Sequence, residues 1–203
     1  MIRRKIKLVI LDGNGIILSR GYPDTVKALA QKFKISEELL HQVLYKKYFN
    51  QAAERKISQK KAWQKSVEDL KLPISWQKLR DWHLGLLKIN EPAFEFAKKI
   101  RREYKTIILS KNTRSQMIVI KKRFPQIWSS FDAVINTWEL GLPKASKATI
   151  LLLAQRFKVK PDEIIYADDQ KNNLVEAKKM GVKVIYYQNL SQFKKEFYKV
   201  LEK

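Results

Sequence analysis

The sequence predicts an α/β protein: a Rossmann-like three-layer core with a parallel sheet, plus an inserted helical domain. Three observations predict it. Five short runs dense in Val, Ile and Leu lack the polar alternation of a half-exposed sheet, as strands covered on both faces do. Helical apolar periodicity fills the gaps between them, the alternation that builds doubly wound sheets with ligands at the carboxyl ends of the strands. One gap, from residue 19 to 91, is too long for a plain loop and is helical in pattern throughout, so it reads as an inserted domain.

Taken in order, IKLVILD (6–12) is the first strand and delivers Asp12 into a glycine-flanked turn, Gly13-Asn14-Gly15. The insert follows, with apolar faces Val26, Leu29, Ala30, Phe33; Leu40, Val43, Leu44; Trp63, Val67, Leu70; and Leu79, Trp82, Leu86. Ser36, Ser58, Ser75 and Asn90 stand where helix N-caps are wanted. Trp63, Trp76 and Trp82 are expected to pack the insert's own core rather than cage a substrate. A helix through Ala93, Phe96, Ala97 and Ile100 leads to the second strand, KTIILS (105–110). The remaining strands are DAVINT (132–137), DEIIYADD (162–169) and VKVIYY (182–187). Helices through Met117, Ile120 and Phe124, through Ile150, Leu153, Ala154 and Phe157, and through Leu174 and Ala177 separate them, and one through Phe193, Phe197, Val200 and Leu201 ends the chain.

Composition bounds the function. There are no cysteines, which excludes disulfides, thiolate catalysis and cysteine-ligated metal. No apolar stretch is long enough to span a bilayer, and Asp12 interrupts the only run after the basic start MIRRKIK before a signal-peptide core forms; a cytoplasmic protein without a membrane partner is expected. The 42 Lys and Arg against 20 Asp and Glu give a net charge of +22, which attracts phosphates and polyanions. Yet the longest basic run is Lys121-Lys122-Arg123 and the other pairs are scattered. That pattern favours solvated helix faces and steering of a small anionic substrate. A nucleic-acid partner, possible but not favoured, would bind with affinity that falls steeply with salt.

The local pattern LVILDGNGIIL reads on its own as a β-hairpin, because Asp-Gly and Asn-Gly between apolar runs are strong turn signals. Its company argues otherwise. In an open parallel sheet the polar residues ending successive strands converge on one crevice, and here these are Asp12, Ser110 and the Asp168-Asp169 pair, joined by Lys144 in the loop GLPKASK. Each also has an ordinary structural reading: Ser110 or Asn112 as the cap of the next helix, Asp169 as a cap near Asn172, Lys144 as a surface lysine.

Together these segments resemble the haloacid dehalogenase (HAD) superfamily over nearly the whole chain and in the right order. LVILDGNG is similar to its first motif, Asp-x-Asp-Gly after a strand; IILSKN to the second; ELGLPKASKATILL to the third; and IIYADDQKNNLVEAKKMG to the fourth. The resemblance implies a core of residues 1–18 and 92–203 and a helical cap domain of the family's first type at 19–91. It implies Mg²⁺-dependent hydrolysis or transfer of a phosphoryl group from a small phosphorylated metabolite. Asp12 would attack phosphorus and form an aspartyl-phosphate. Mg²⁺ would be held by Asp12, the backbone carbonyl of Asn14 and Asp168, with Asp169 as ligand or support. Ser110 and Lys144 would act catalytically, and Gly13, Ser110, Lys111, Asn112 and Lys144 would bind the phosphoryl group.

The chain departs from the family's phosphatases at Asn14, where they carry an Asp that protonates the leaving alkoxide and then activates water. An amide does neither, although its backbone carbonyl still serves a metal. The expected loss is roughly 10²- to 10⁴-fold in rate, about 3 to 5 kcal/mol of barrier. Three readings follow: a substrate whose leaving group needs no proton, such as an acyl phosphate or a nucleotide; a dehalogenase-like hydrolase, which the paired Asp168-Asp169 argues against; or a catalytically silent protein that binds phosphate and Mg²⁺ in a regulatory role. Asn14-Gly15 is also a deamidation-prone pair, so an aged sample could acquire Asp at 14. His41 and His83, the only histidines, fall on helical text without metal-ligand partners and are expected to be surface or cap-core residues.

Overall fold

The computed structural model describes residues 6–202; residues 1–5 and 203, the extreme ends of the expected core domain, lie outside the described residues. β1 (Leu8–Asp12) is followed by a helical insertion: α1 (Tyr22–Phe33), α2 (Glu37–Leu40), a π-helical segment (His41–Phe49), α3 (Asn50–Ala53), α4 (Gln59–Asp69) and α5 (Trp76–Leu86). Then come α6 (Glu91–Arg101), β2 (Lys105–Ser110), α7 (Arg114–Arg123), α8 (Pro125–Ser130), β3 (Ala133–Asn136), α9 (Thr137–Leu140) and α10 (Lys147–Phe157). β4 (Ile164–Asp168), α11 (Lys171–Lys179), β5 (Lys183–Tyr186) and α12 (Leu190–Leu201) complete the fold. No helix among the described residues is long and apolar enough to cross a membrane.

All four strand pairings are parallel, in the order β3-β2-β1-β4-β5. The chain runs outward from β1 to β3 on one side, then crosses back to β4 on the other, so the switch in direction falls between β1 and β4. Asp12 and Asp168 end those two strands, where an open sheet of this kind offers its crevice. Strand side chains divide by parity between two cores. Val9, Leu11, Ile108 and Ile165 pack against α6 and α12 through Phe96, Ile100, Phe193 and Phe197. Leu8, Ile10, Ile107 and Tyr166 pack against α10 and α11 through Ile150, Leu153, Leu174 and Ala177. Both faces are therefore dry, which accounts for the unbroken apolar runs.

The segment 13–18 does not form the hairpin that Asp-Gly-Asn-Gly suggests in isolation. Ile17 and Leu18 both donate their N–H to the Gly13 carbonyl, and Leu18 pairs antiparallel with Ile89, so the turn feeds a two-chain connection into the insertion. Ser19 N–H donates to the Lys88 carbonyl at 2.8 Å, and Lys88 N–H donates back to Ser19 Oγ at 3.1 Å. The insertion carries its own core, in which Tyr22, Leu29, Leu40, Leu44, Trp63 and Leu79 are buried and Trp76 and Trp82 pack at the margin. Ser36, Ser58 and Ser75 cap α2, α4 and α5 through their hydroxyl oxygens. Asn90 does not cap α6: its amide donates instead to the Ile16 carbonyl at 3.0 Å and the Tyr187 hydroxyl at 3.4 Å, tying the return strand of the connection to the core. The stretch His41–Phe49, which carries Val43 and Leu44, is wider than an α-helix, a rare geometry that recurs at functional sites.

His83 is a buried strut between the insertion and α7. Its Nδ1 lies 2.8 Å from Thr25 Oγ1 and its Nε2 lies 3.1 Å from Gln116 Nε2, so Gln116 donates to an imidazole that must be neutral. Burial pulls its pKa from the ordinary 6.5 down to about 3. Folded His83 therefore stays neutral while unfolded His83 takes up a proton below about 6.5, and the unfolded state binds more protons throughout that window. The contribution to stability is complete above pH 6.5 and declines as pH falls toward 3. Relative to His83→Gln, the wild type should lose about 2 kcal/mol of urea-measured stability between pH 7.5 and pH 5; parallel curves for the two proteins would rule the mechanism out.

Candidate active site

The site is assembled at the strand tips from both faces of the sheet. Asp12 shares the face of Leu8 and Ile10; Asp168 shares the face of Tyr166 on the neighbouring strand. Lys144, brought in by the loop before α10, inserts its ammonium between them, with Nζ 2.6 Å from Asp12 Oδ1 and 2.7 Å from Asp168 Oδ2. All three are buried, Lys144 with 4% of its surface exposed. Ser110 arrives from the opposite face, two residues after Ile108. Its close approach to the turn is why residue 13 is glycine: a Cβ there would lie 2.8 Å from Ser110 Oγ. Gly15, with φ +99°, answers a second demand, since a Cβ would lie 2.3 Å from Asp169 Oδ2.

The two adjacent aspartates differ in their partners. Asp168 is saturated: besides Lys144 it accepts from the Tyr166 hydroxyl at 2.8 Å, the Gln170 N–H at 2.8 Å and the Asn173 amide at 3.0 and 3.1 Å. Asp169 Oδ1 is buried with no hydrogen-bond partner, and Arg20 Nε stands 3.8 Å from its other oxygen. One oxygen each from Asp12, Asp168 and Asp169 lie within 4.8 Å of one another. An unpartnered buried carboxylate oxygen beside two further carboxylates fits a hard divalent cation with oxygen ligands. The electrostatics agree with crowding. Burial and then Asp168 push the Asp12 pKa well up, against Lys144; burial and Asp168 likewise raise Asp169. Burial alone would lower the Lys144 pKa, but Asp12 and Asp168 more than reverse it and the net direction is up.

Position 14 is pinned by its amide. Asn14 Oδ1 accepts from Asn112 Nδ2 at 3.1 Å and Asn14 Nδ2 donates to the Ser19 carbonyl at 3.3 Å. Asn112 also donates to Ser110 Oγ at 2.9 Å, so Asn112 supports Ser110 from behind and does not line the cavity. Neither Ser110 nor Asn112 caps α7; Thr113 does, and Asp169 caps nothing. A cavity of about 300 Å³ opens above these groups, lined by Asp12, Asn14, Ser110, Lys111, Lys144 and Asp169 from the core. The insertion roofs it with His41, Tyr45 and Phe49, stacked along one side of the π-helical segment, and with Tyr22. Sequence reasoning missed Tyr166 and Asn173, which the two- and five-residue spacings to Asp168 place on the same carboxylate. It also missed Tyr22 and Tyr45, for which no sequence signal existed.

Fold and site together define a doubly wound α/β protein with an acidic, lysine-neutralised pocket at its strand tips. Residues 21–187 match the haloacid dehalogenase-like hydrolase family, and the chain belongs to that family. Among solved structures, a protein of Porphyromonas gingivalis described as a predicted HAD-like family hydrolase superposes with a TM-score of 0.73 at 21% identity, covering 98% of each chain. A HAD family enzyme from Bacteroides thetaiotaomicron, in complex with magnesium and inorganic phosphate, superposes with a TM-score of 0.69 at 16% identity over 93% of this chain and 98% of that one. The L-2-haloacid dehalogenase of Xanthobacter autotrophicus gives 0.66 at 18% identity over 96% and 83%.

Two outcomes follow from this geometry. Lys144→Met strands two buried carboxylates without a counter-charge and should cost about 3–5 kcal/mol of folding stability in metal-free buffer, read by urea denaturation; a loss below 1 kcal/mol would mean the triad is hydrated. Deamidation of Asn14 requires the Gly15 nitrogen to attack the Asn14 side chain. Here that N–H is committed to the Leu18 carbonyl at 2.9 Å and the amide is held at both ends. Isoaspartate at 14, followed by peptide mass spectrometry, should therefore accumulate far more slowly in native protein than in urea.

Proposed function

We propose that the protein is a Mg²⁺-dependent phosphoryl hydrolase or transferase acting on a small phosphorylated metabolite, with Asp12 as nucleophile. The observation that carries this reading is the Asp12–Lys144–Asp168 ion triad beside the bare oxygen of Asp169. Lys144 aims Asp12 and opposes its protonation, Asp12 attacks phosphorus as the carboxylate, and Ser110 Oγ and Lys144 hydrogen-bond the transferring phosphoryl oxygens. Asp12, the Asn14 backbone carbonyl and Asp169 would hold the cation, while Asp168, occupied by four protein donors, serves to fix Lys144. When bound, Mg²⁺ supplies the positive charge that lets a carboxylate and a phosphate approach. The insertion, residues 19–91, acts as a cap of the first type over a core of residues 1–18 and 92–203, and its side chains choose the substrate. Crystals of the B. thetaiotaomicron enzyme with magnesium and inorganic phosphate support the ligand assignment.

A dehalogenase-like reaction is the second reading, favoured by the amide at 14; the third carboxylate, Asp169, with its unpartnered oxygen, weighs against a metal-free site. Freshly purified protein should release phosphate from a phosphometabolite panel, lose this on chelation and regain it with Mg²⁺, and Asp12→Asn should abolish it. In Asn14→Asp one carboxyl oxygen would face the Ser19 carbonyl, which favours the protonated acid. That variant should hydrolyse alkyl phosphates roughly 10²-fold faster than wild type. Absence of Asp12-dependent turnover across the panel in both proteins would sink the phosphatase reading and leave a silent binding site.

A further inference from the structure

A protein with no acid at position 14 and no substitute for it expels its leaving group as an anion. Besides Lys144, the cavity is lined by Arg20, His41, Lys46 and Lys111; Arg20 stands beside Asp169, Lys46 is exposed, and burial draws the His41 pKa down, away from the protonated form. Lys111, the residue after Ser110, lies on the insertion side of the pocket. Its Nζ donates to the Asn50 side-chain oxygen at 2.7 Å and stands 5.8 and 5.9 Å from the ring centroids of Tyr45 and Phe49. It is half-buried, and among the described residues no carboxylate lies within ion-pair distance of it. Lys144 differs in this respect, since two carboxylates already neutralise it. The direct contacts of this partly desolvated ammonium are an amide oxygen and two aromatic rings, with Glu54 acting on it only from beyond ion-pair distance, which leaves it able to take an anion in contact. Burial also draws its pKa below the ordinary lysine value, with Glu54 opposing.

Direction decides which anion. Displacement at phosphorus by Asp12 is roughly in line, so the departing oxygen leaves from the side opposite Asp12. That side is the insertion, toward which the Lys111–Asn50 bond points.

We propose, on the basis of the phosphoryl-transfer reading above, that Lys111 is a catalytic residue that stabilises the leaving oxyanion, and that the substrates are phosphates of acidic hydroxyls: aryl phosphates and acyl phosphates. In the step, an Asp12 oxygen forms the new bond to phosphorus and the bond from phosphorus to the leaving oxygen breaks. The electron pair leaves with that oxygen, which departs unprotonated against the Lys111 ammonium, and Lys111 keeps its proton. In the second step water attacks the aspartyl-phosphate, the bond to Asp12 breaks, and both water protons leave on the released phosphate. The Tyr22, Tyr45 and Phe49 rings offer a flat apolar wall to the body of such a leaving group.

The test is a leaving-group series with Mg²⁺: acetyl phosphate, p-nitrophenyl phosphate, phenyl phosphate and glycerol phosphate, with wild type, Lys111→Met, Lys111→Arg and Asn14→Asp. The wild type should prefer the acyl and aryl phosphates over the alkyl phosphate by about 10²- to 10⁴-fold in kcat/KM, and Asn14→Asp should flatten that dependence. Lys111→Met should lower kcat for the aryl series by about 10²-fold and steepen the dependence on leaving-group acidity, with Lys111→Arg restoring most of it. Inhibition by inorganic phosphate should change less than about threefold in both Lys111 variants, because the released phosphoryl group does not use Lys111. Circular dichroism checks that each variant is folded; if Lys111→Met is not, the arginine variant and the wild-type slope decide.

Glycerol phosphate turned over as fast as phenyl phosphate by wild type, or a Lys111→Met enzyme with an unchanged slope, overturns this assignment while leaving the phosphatase reading intact. Loss of phosphate inhibition in step with activity would place Lys111 on the transferring phosphoryl group and also overturn it. No Asp12-dependent turnover of any of the four substrates overturns both.

Discussion

The ammonium of Lys144 between the buried carboxylates of Asp12 and Asp168 is the interaction on which the rest of the site depends. Two carboxylates at the tips of neighbouring strands, both shielded from water, repel one another strongly in a medium of low effective dielectric. One cation placed on both of them turns that repulsion into a rigid triad. Further donors from Tyr166, Gln170 and Asn173 satisfy Asp168 completely, which is the condition for a buried charge cluster to be tolerated. The result is a fixed point: Asp12 cannot swing away, and Lys144 opposes the burial and the Asp168 charge that favour its protonation. Topology makes this possible. The chain must leave β3 at one edge, pass over the sheet as α10 and return at β4, and only at the start of that crossing can a single loop drop a lysine onto two strands at once.

Around that fixed point the backbone is drawn in tightly, and the glycines record where. Gly13 lets the turn approach Ser110, and Gly15 makes room for Asp169. The same turn continues into Ser19 and the paired segments that carry the insertion, so the loop after Asp12 is also the base of the roof. Asn14 sits at the junction. Through Asn112 it is connected to the hydroxyl of Ser110, which lines the cavity, and through the Ser19 carbonyl to the connection between core and insertion. An amide, with one donor end and one acceptor end, satisfies both neighbours without a charge; a carboxylate there must be protonated to do the same.

Much of this was legible in the sequence, because parallel sheets expose their logic in one dimension. Unbroken apolar runs gave five strands, and the polar residue closing each run gave Asp12, Ser110 and Asp168. What sequence could not supply was the division of labour between Asp168 and Asp169. Both carboxylates look alike in the text; they differ only in which donors the folded chain brings to them, and Asn173 and Tyr166 choose the first. Asn90 illustrates the same limit, since a residue at a cap position spends its amide on Ile16 and Tyr187 once those groups are close. The histidine at 83 is another case: its helical text leaves surface and cap core both open, and its buried, neutral, doubly bonded state depends on Thr25 and Gln116 from separate elements.

Positions 14 and 111 belong to one charge balance. If residue 14 were a protonated acid, the leaving group would depart neutral, and an uncompensated ammonium on the far wall would remain unpaired at every stage of the reaction. In the proposed reaction, with an amide at 14, the negative charge that Asp12 brings to phosphorus is passed on to the leaving oxygen and must rest somewhere. The half-buried ammonium of Lys111, held by an oxygen that carries no charge, is then paired only after the bond has broken. Such a contact is stronger in the transition state than in the ground state, which is the condition for binding energy to appear in rate. On this argument the amide is not a defect in an otherwise complete site; it sets which leaving groups the remaining charges can serve.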